Sequence, residues 1–227
     1  MCGRFSLSVT PESLARQFGL GELVDVAPRF NIAPTQAALV VRQAVAASDG
    51  IEGRVAEAML WGLVPSWSKD PRMGARMINA RAETAAEKPS FRSALKRRRC
   101  LVPADGFYEW RTEGGHKQPY RITMADGQPF GMAGLWEVWH GPDGDALCSF
   151  TILTTAANAL IGPLHDRMPV IIDPGAYGVW LDPEMQEAVP LDPLMVPYPS
   201  DRMALYPVST RVNSPANDDA ACVAPLA

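Results

Sequence analysis

Proline sets the limits on what this chain can build. Twenty-one prolines are spread over 227 residues, and each lacks a backbone N–H and fixes φ, so it ends helices and interrupts the ladders of central strands. The chain therefore reads as many short strands and loops, with helices of only a few turns. Turn signals agree: Ser48-Asp49-Gly50, Ala104-Asp105-Gly106, Ala125-Asp126-Gly127 and His140-Gly141-Pro142-Asp143-Gly144-Asp145 each separate apolar runs. With 47% hydrophobic residues the chain can bury one substantial core, and no internal repeat or low-complexity linker divides it. The expected fold class is α+β: a single domain with an antiparallel β-barrel or sandwich core and short flanking helices.

In order, residues 2–8 read as a strand. Thr10-Pro11-Glu12 then reads as an N-cap, an N1 proline and an acidic first turn, with Leu14 and Phe18 one turn apart and Gly19 or Gly21 ending the helix. Strands are expected at 38–42 and 54–61, and a short one through Asn79 into Thr84-Ala85-Ala86-Glu87, which has capping-box spacing. Residues 100–103 read as a buried strand turning into 107–110. Residues 118–124 and 128–138 suggest a hairpin, and 146–154 closes another. A short helix is expected at 155–161, a strand at 170–172, a helix at 174–181, a surface loop at 189–199 and a last strand at 206–209.

Four cysteines (Cys2, Cys100, Cys148, Cys222) lie far apart without a Cys-x-x-Cys pair, and only three histidines are present. Neither a zinc site nor a disulfide framework is suggested, and no cofactor is expected. No apolar h-region or membrane-length run occurs, so a cytoplasmic, reducing location is expected. A net charge of −4 argues against coating nucleic acid through bulk charge, while leaving room for a local basic groove.

Five places carry chemistry. If Met1 is trimmed, Cys2 becomes terminal, and its adjacent amine and thiol could capture an aldehyde first as an imine, then as a five-membered thiazolidine; otherwise Cys2 is an ordinary second residue. Trp61 reads as a core anchor, whereas Trp67, flanked by Ser66, Ser68 and Lys69, is either a second anchor or an exposed stacking surface for a base. From Lys88 to Arg99 there are six basic residues and no acid; Lys96–Arg99 is a cationic helix end opposing the macrodipole, a phosphate-facing rim, or both. Glu109 alternates with aromatics, sharing a face with Phe107 and opposing Tyr108 and Trp110. It is either an edge carboxylate or a desolvated acid–base group. His165, in a polar loop before a strand, is a plausible proton-transfer group.

Six strings together resemble the SRAP family, the SOS-response-associated peptidases or abasic-site processing proteins. They are Met1-Cys2-Gly3-Arg4-Phe5, Arg29-Phe30-Asn31-Ile32-Ala33-Pro34, Trp61-Gly62-Leu63-Val64-Pro65, Asn79-Ala80-Arg81-Ala82-Glu83-Thr84, Gly106-Phe107-Tyr108-Glu109-Trp110 and His165-Asp166-Arg167-Met168-Pro169. The resemblance spans 2–213, with 214–227 left as an extended C-terminal tail. It implies binding of single-stranded DNA with an abasic site and covalent linkage through Cys2. Asn79 would position the terminal amine and the sugar, Glu109 would act as acid–base, and His165 would assist sugar opening and reversal. Arg4 and Arg81 would contact phosphate, while Pro34 and Trp67 would wedge against or stack on bases. It also implies autocatalytic removal of Met1. No membrane or metal is implied, and the chain is expected to act as a monomer. Two other readings stand beside this one. An N-terminal-nucleophile amidohydrolase also opens Met-Cys-Gly, but its Asn-Gly motif is missing here. A non-catalytic single-strand-binding module would leave Cys2 incidental.

Overall fold

Proline decides where the helices begin. Pro11 opens the longest described helix, and Pro71 and Pro174 open 3-10 turns, each in the first turn where a missing N–H costs nothing. The computed structural model describes residues 2–44, 53–186 and 189–226. In chain order its strands are β1 (Phe5–Leu7), β2 (Arg29–Ile32), β3 (Ala37–Gln43), β4 (Arg54–Trp61), β5 (Asn79–Arg81), β6 (Arg99–Ala104) and β7 (Gly106–Glu113), followed by β8 (His116–Met124), β9 (Phe130–His140), β10 (Ala146–Ala156), β11 (Arg167–Pro169), β12 (Ile171–Ile172) and β13 (Met203–Pro207). The helices are α1 (Pro11–Phe18), α2 (Ala82–Ala85), α3 (Arg92–Arg97) and α4 (Tyr177–Leu181). None of these helices is long and apolar enough to cross a membrane.

One sheet runs β13-β8-β7-β1-β2 with every neighbour antiparallel. The other closes on itself: β10 pairs β4, β4 pairs β3, β3 pairs β6, β6 pairs β9, and β9 returns to β10. This five-stranded ring carries β5, β11 and β12 at its margins, and closure removes the exposed strand edges. The expected α+β barrel is present, with one departure: β10 meets β4 and β5 in parallel.

The sheet meets the ring through aromatics. Phe5 of β1 stands edge-on to Trp61 of β4 at 5.1 Å, and Trp61 stacks on Phe150 of β10 at 6.3 Å. Strand β7 divides its side chains as period-two alternation requires. Phe107 joins the main core, whereas Tyr108 and Trp110 join a second cluster with Val208, Val212 and Cys222.

The local readings hold where short-range chemistry decides. Thr10 accepts the Ser13 N–H as an N-cap, and Gly19, with φ of 64°, ends α1. They fail where partners are distant. Strands β8 and β9 follow one another but belong to different sheets, so the expected 118–138 hairpin is a corner. The turn at Gly127 (φ 72°) is the same backbone in either case. The hairpin is instead β7–β8, turned by Gly114 and Gly115 at φ 54° and 83°. The expected helix at 155–161 is absent. β10 continues to Ala156, held by β11, and Asn158 Oδ1 then accepts the N–H groups of Leu160 and Ile161, a side-chain turn that displaces helix. Thr84 lies inside α2 and caps nothing, because pairing of β5 with β10 fixes where α2 starts.

Residues 189–199 are not simply surface: Leu191 and Tyr198 are buried. The residues after Asn213 do not trail away. Ala220–Cys222 forms a 3-10 turn, and Cys222 is fully buried. The expected turn at Ser48-Asp49-Gly50 lies outside the described residues.

One close approach braces the Trp67 loop. Gly62 (φ 133°) and Gly74 cross back to back, and a Cβ on Gly74 would come within 2.4 Å of the Gly62 carbonyl oxygen. Gly74→Ala is expected to destabilise the fold by about 1–3 kcal/mol in urea melts, the usual cost of overpacking. Gly21→Ala, where a Cβ meets nothing within 4 Å, serves as the neutral control.

Candidate functional site

Strand β1 delivers the head of the chain into the interior. It pairs antiparallel with β7 in the register Phe5↔Phe107 and Ser6↔Gly106, and the Tyr108 N–H donates to the Arg4 carbonyl at 3.0 Å. Continued by two residues, that register sets Gly3 opposite Glu109, with Cys2 beside it. Cys2 is fully buried. Its carbonyl accepts a hydrogen bond from Asn79 Nδ2 at 2.7 Å, and its Sγ lies 4.0 Å from the Arg4 carbonyl. Asn79 comes from β5, which lies parallel to β10 at Ile152. Its Oδ1 is a buried acceptor with no donor among the described residues.

Burial controls the titration of this cluster. Glu109 is only 4% exposed, which excludes the edge reading. Desolvation, with the charge of Asp166 adding to it, raises its pKa to about 7. The Cys2 thiol is pushed up to about 12, first by burial and then by the Glu109 charge. That electrostatic coupling, together with the Asn79 bond, brings Cys2, Asn79, Glu109 and the 165–166 loop into one cluster. His165 sits between β10 and β11 and is held below its usual pKa mainly by burial. Its Nδ1 accepts the Arg167 N–H at 2.9 Å, which assigns the proton to Nε2. The 2.8 Å approach of Asp166 Oδ1 to the same nitrogen requires a proton there instead. The two arrangements exclude each other, and the lowered pKa favours the neutral ring bound to the amide.

The other expected residues surround this cluster. Arg81 is exposed at the end of β5, and Trp67 is 57% exposed on the turn closed by Ser68 N–H to the Pro65 carbonyl. Trp61, by contrast, is fully buried. Pro34 is half-buried and precedes Thr35, a β-branched residue at φ 65°. That strained turn is fixed by the Thr35 N–H on the Trp61 carbonyl and by Gln36 Oε1 on the Ala33 N–H. Arg4 is half-buried, and its Nη1 donates to Asn31 Oδ1 and the Val212 carbonyl.

The basic run divides. Arg99 is buried, and its guanidinium donates to the carbonyls of Leu95, Lys96, Trp180 and Asp182, closing the end of α3. Arg98 pairs with Glu137 at 2.7 Å. Only Lys96 and Arg97 of the four face solvent.

Sequence reasoning gave no role to Arg167, whose guanidinium grips Glu83 through two bonds of 2.7 and 2.8 Å and also reaches the Thr154 carbonyl. This clamp ties α2 to β10 and β11 and anchors the loop bearing His165. The strings containing Glu83 and Arg167 were visible, but nothing local to either one pairs them.

A fold and a cluster of this kind define a class. The family model described as SOS response associated peptidase (SRAP) matches residues 1–215, and the chain belongs to this family. Among curated relatives it is 42% identical to "Abasic site processing protein YoqW" of Bacillus subtilis, over 96% of each chain. It is 33% identical to "Abasic site processing protein YedK" of Escherichia coli over the full length of both. It is 32% identical to "Abasic site processing protein HMCES" of Xenopus tropicalis, over 100% of this chain and 78% of that one. A solved structure of a Bacteroides thetaiotaomicron protein superposes with a TM-score of 0.85 at 28% identity over the whole of both chains.

The Glu109 pKa makes a prediction with a definite sign. Raised from 4.5 to about 7, the folded state holds a proton that the unfolded state has released across that window. This contribution to stability is fully present below about pH 4.5 and is lost as pH rises through about 7, on the order of 3 kcal/mol in all. Glu109→Gln should remove this fall of stability with pH and be the more stable protein at pH 8 in denaturant melts. An unchanged slope would contradict the desolvated assignment.

Proposed function

We propose that this chain captures abasic sites in single-stranded DNA, joining the opened sugar to Cys2 as a thiazolidine once Met1 has been removed. The observation that carries this reading is the burial of Cys2 against Asn79 and the raised carboxyl of Glu109. Three relatives bear the name abasic site processing protein, which supports it.

The chemistry uses the side chains of Cys2, Glu109 and His165. An abasic deoxyribose is mostly a closed hemiacetal. Opening it takes the proton from the anomeric hydroxyl and gives one to the ring oxygen, and His165 Nε2, the ring nitrogen not engaged by the Arg167 N–H, is the group offered for the proton on the ring oxygen. The Cys2 amine, its proton taken by Glu109, adds to the aldehyde carbon. Return of that proton lets water leave, and an imine remains. The thiol then adds to the imine carbon as its proton passes to nitrogen. One aldehyde and one aminothiol give one thiazolidine and one water, with no redox change. A Glu with a pKa near 7 suits both halves of the proton exchange. While Met1 is attached, the Cys2 nitrogen is an amide and no imine can form. Hydrolysis of the Met1–Cys2 bond by the chain itself belongs to the same proposal.

Arg4 and Arg81 would hold phosphates, setting register without reading sequence. Pro34 and Trp67 would wedge against and stack on flanking bases, a sequence-tolerant contact. The amidohydrolase reading is weaker, because direct attack on an amide needs a thiolate and a thiol pushed up to about 12 supplies little at neutral pH. A purely binding module would leave a buried acid–base carboxyl beside Cys2 without a use.

Protein lacking Met1, mixed with uracil-excised single-stranded DNA, is expected to give a species stable to heat and detergent. Its intact mass should equal protein plus DNA less one water. Cys2→Ala and a retained Met1 should each abolish it; an unchanged yield with Cys2→Ala would overturn the mechanism. Glu109→Gln should slow adduct formation by about 10²-fold or more, the usual worth of a general acid–base, with DNA affinity retained. Equal losses in both assays would make Glu109 structural.

A further inference from the structure

Arg4 is held in an unusual way. Its Nη1 donates to Asn31 Oδ1 at 2.7 Å and to the Val212 carbonyl at 2.6 Å, both neutral acceptors. No carboxylate pairs with it among the described residues, and burial lowers its pKa. A half-buried guanidinium with its charge uncompensated is costly to hold and well suited to an incoming anion.

The acceptors are set by the far end of the chain. Asn31 is fully buried, and its Nδ2 is shared among the carbonyls of Val212, Ser214 and Asn217 at 3.2, 3.0 and 2.6 Å. Asp218 closes the wrap. One carboxylate oxygen accepts the N–H groups of Phe30 and Asn31 at 2.5 and 2.9 Å, and the other pairs with Arg29. The Asp218 charge is thus spent on β2 and not on Arg4. Arg4 in turn stands two residues from Cys2, immediately ahead of β1. Asp218 lies beyond residues 1–215, which the family model matches.

We propose that the segment from Val212 to Asp218 is a positioning element of the site. Latched to β2 by Asp218 and Asn31, it fixes the Arg4 guanidinium through neutral groups and keeps its charge for a DNA phosphate. This rests on the phosphate-binding role given to Arg4 above. Asp218 touches no substrate and acts through Arg4.

A double-mutant cycle on the full chain tests it, read as the dissociation constant and salt slope for a labelled oligothymidylate. Asp218→Ala and Arg4→Ala should each weaken binding by about 10-fold and flatten the salt slope by about one phosphate contact, roughly 0.7. The double variant should lose no more than Arg4→Ala alone, because the two act as one unit. A product of about 100-fold, or an unchanged slope in Asp218→Ala, would overturn the proposal, and so would a wild-type chain without affinity for the oligonucleotide. Asp218→Asn keeps an acceptor for the two backbone N–H groups and should restore most of the affinity. If Asp218→Ala does not fold by circular dichroism, Asp218→Asn takes its place in the cycle, and its smaller loss must likewise vanish on the Arg4→Ala background. Adduct formation by the wild type is scored separately. An intact cycle without an adduct sinks the covalent reaction alone, and an adduct with an additive cycle sinks the latch alone.

Discussion

The pairing of β1 with β7 is the interaction on which the rest depends. Chain ends usually lie in solvent, yet here three residues of strand, Phe5–Leu7, carry the preceding ones inward. Phe5 is fully buried against Trp61, a contact worth about 2–3 kcal/mol of apolar burial. The ladder to β7 fixes its register, and Asn79 holds the Cys2 carbonyl three residues ahead of it. The same ladder carries Glu109 to the place that the register assigns it. One strand pair therefore brings Cys2 and Glu109 toward each other from opposite directions.

Around that pair, burial works in one electrical direction. Glu109, Cys2 and His165 are each shifted toward their neutral forms, because burial penalises charge on all three. Three arginines near the cluster are treated differently. Arg81 is exposed, Arg167 is locked to Glu83, and Arg4 is held by neutral oxygens. A net charge of −4 for the whole chain is compatible with such a local arrangement, because attraction follows where charge lies rather than its sum.

How much of this was legible depended on range. Helix α1 could be read from Thr10, Pro11 and Gly19, since each acts on its own backbone within a turn or two. β4, expected over 54–61, runs Arg54–Trp61. The 118–138 corner could not be read, because a Gly127 turn serves hairpin and corner alike and the choice belongs to the sheets on either side. The basic run held two answers at once. Arg99 closes α3 as the helix-end reading requires, Arg98 serves Glu137, and only Lys96 and Arg97 remain on the surface. Asn31 and Asp218 carried no signal of their role, being 187 residues apart in sequence and meeting only in space.

The sequence by itself determined the chemical inventory and its order: a thiol at position 2, a carboxylate among aromatics at 109, an imidazole at 165, and prolines and glycines that permit only short elements. Those follow from side-chain identity and local backbone preference, which need no partner. The tertiary structure alone decided which groups meet, how far Glu109 and Cys2 are desolvated, and what holds Arg4. A pKa shift and a hydrogen bond are properties of distance and burial, and these are set by contacts between residues that the chain keeps far apart.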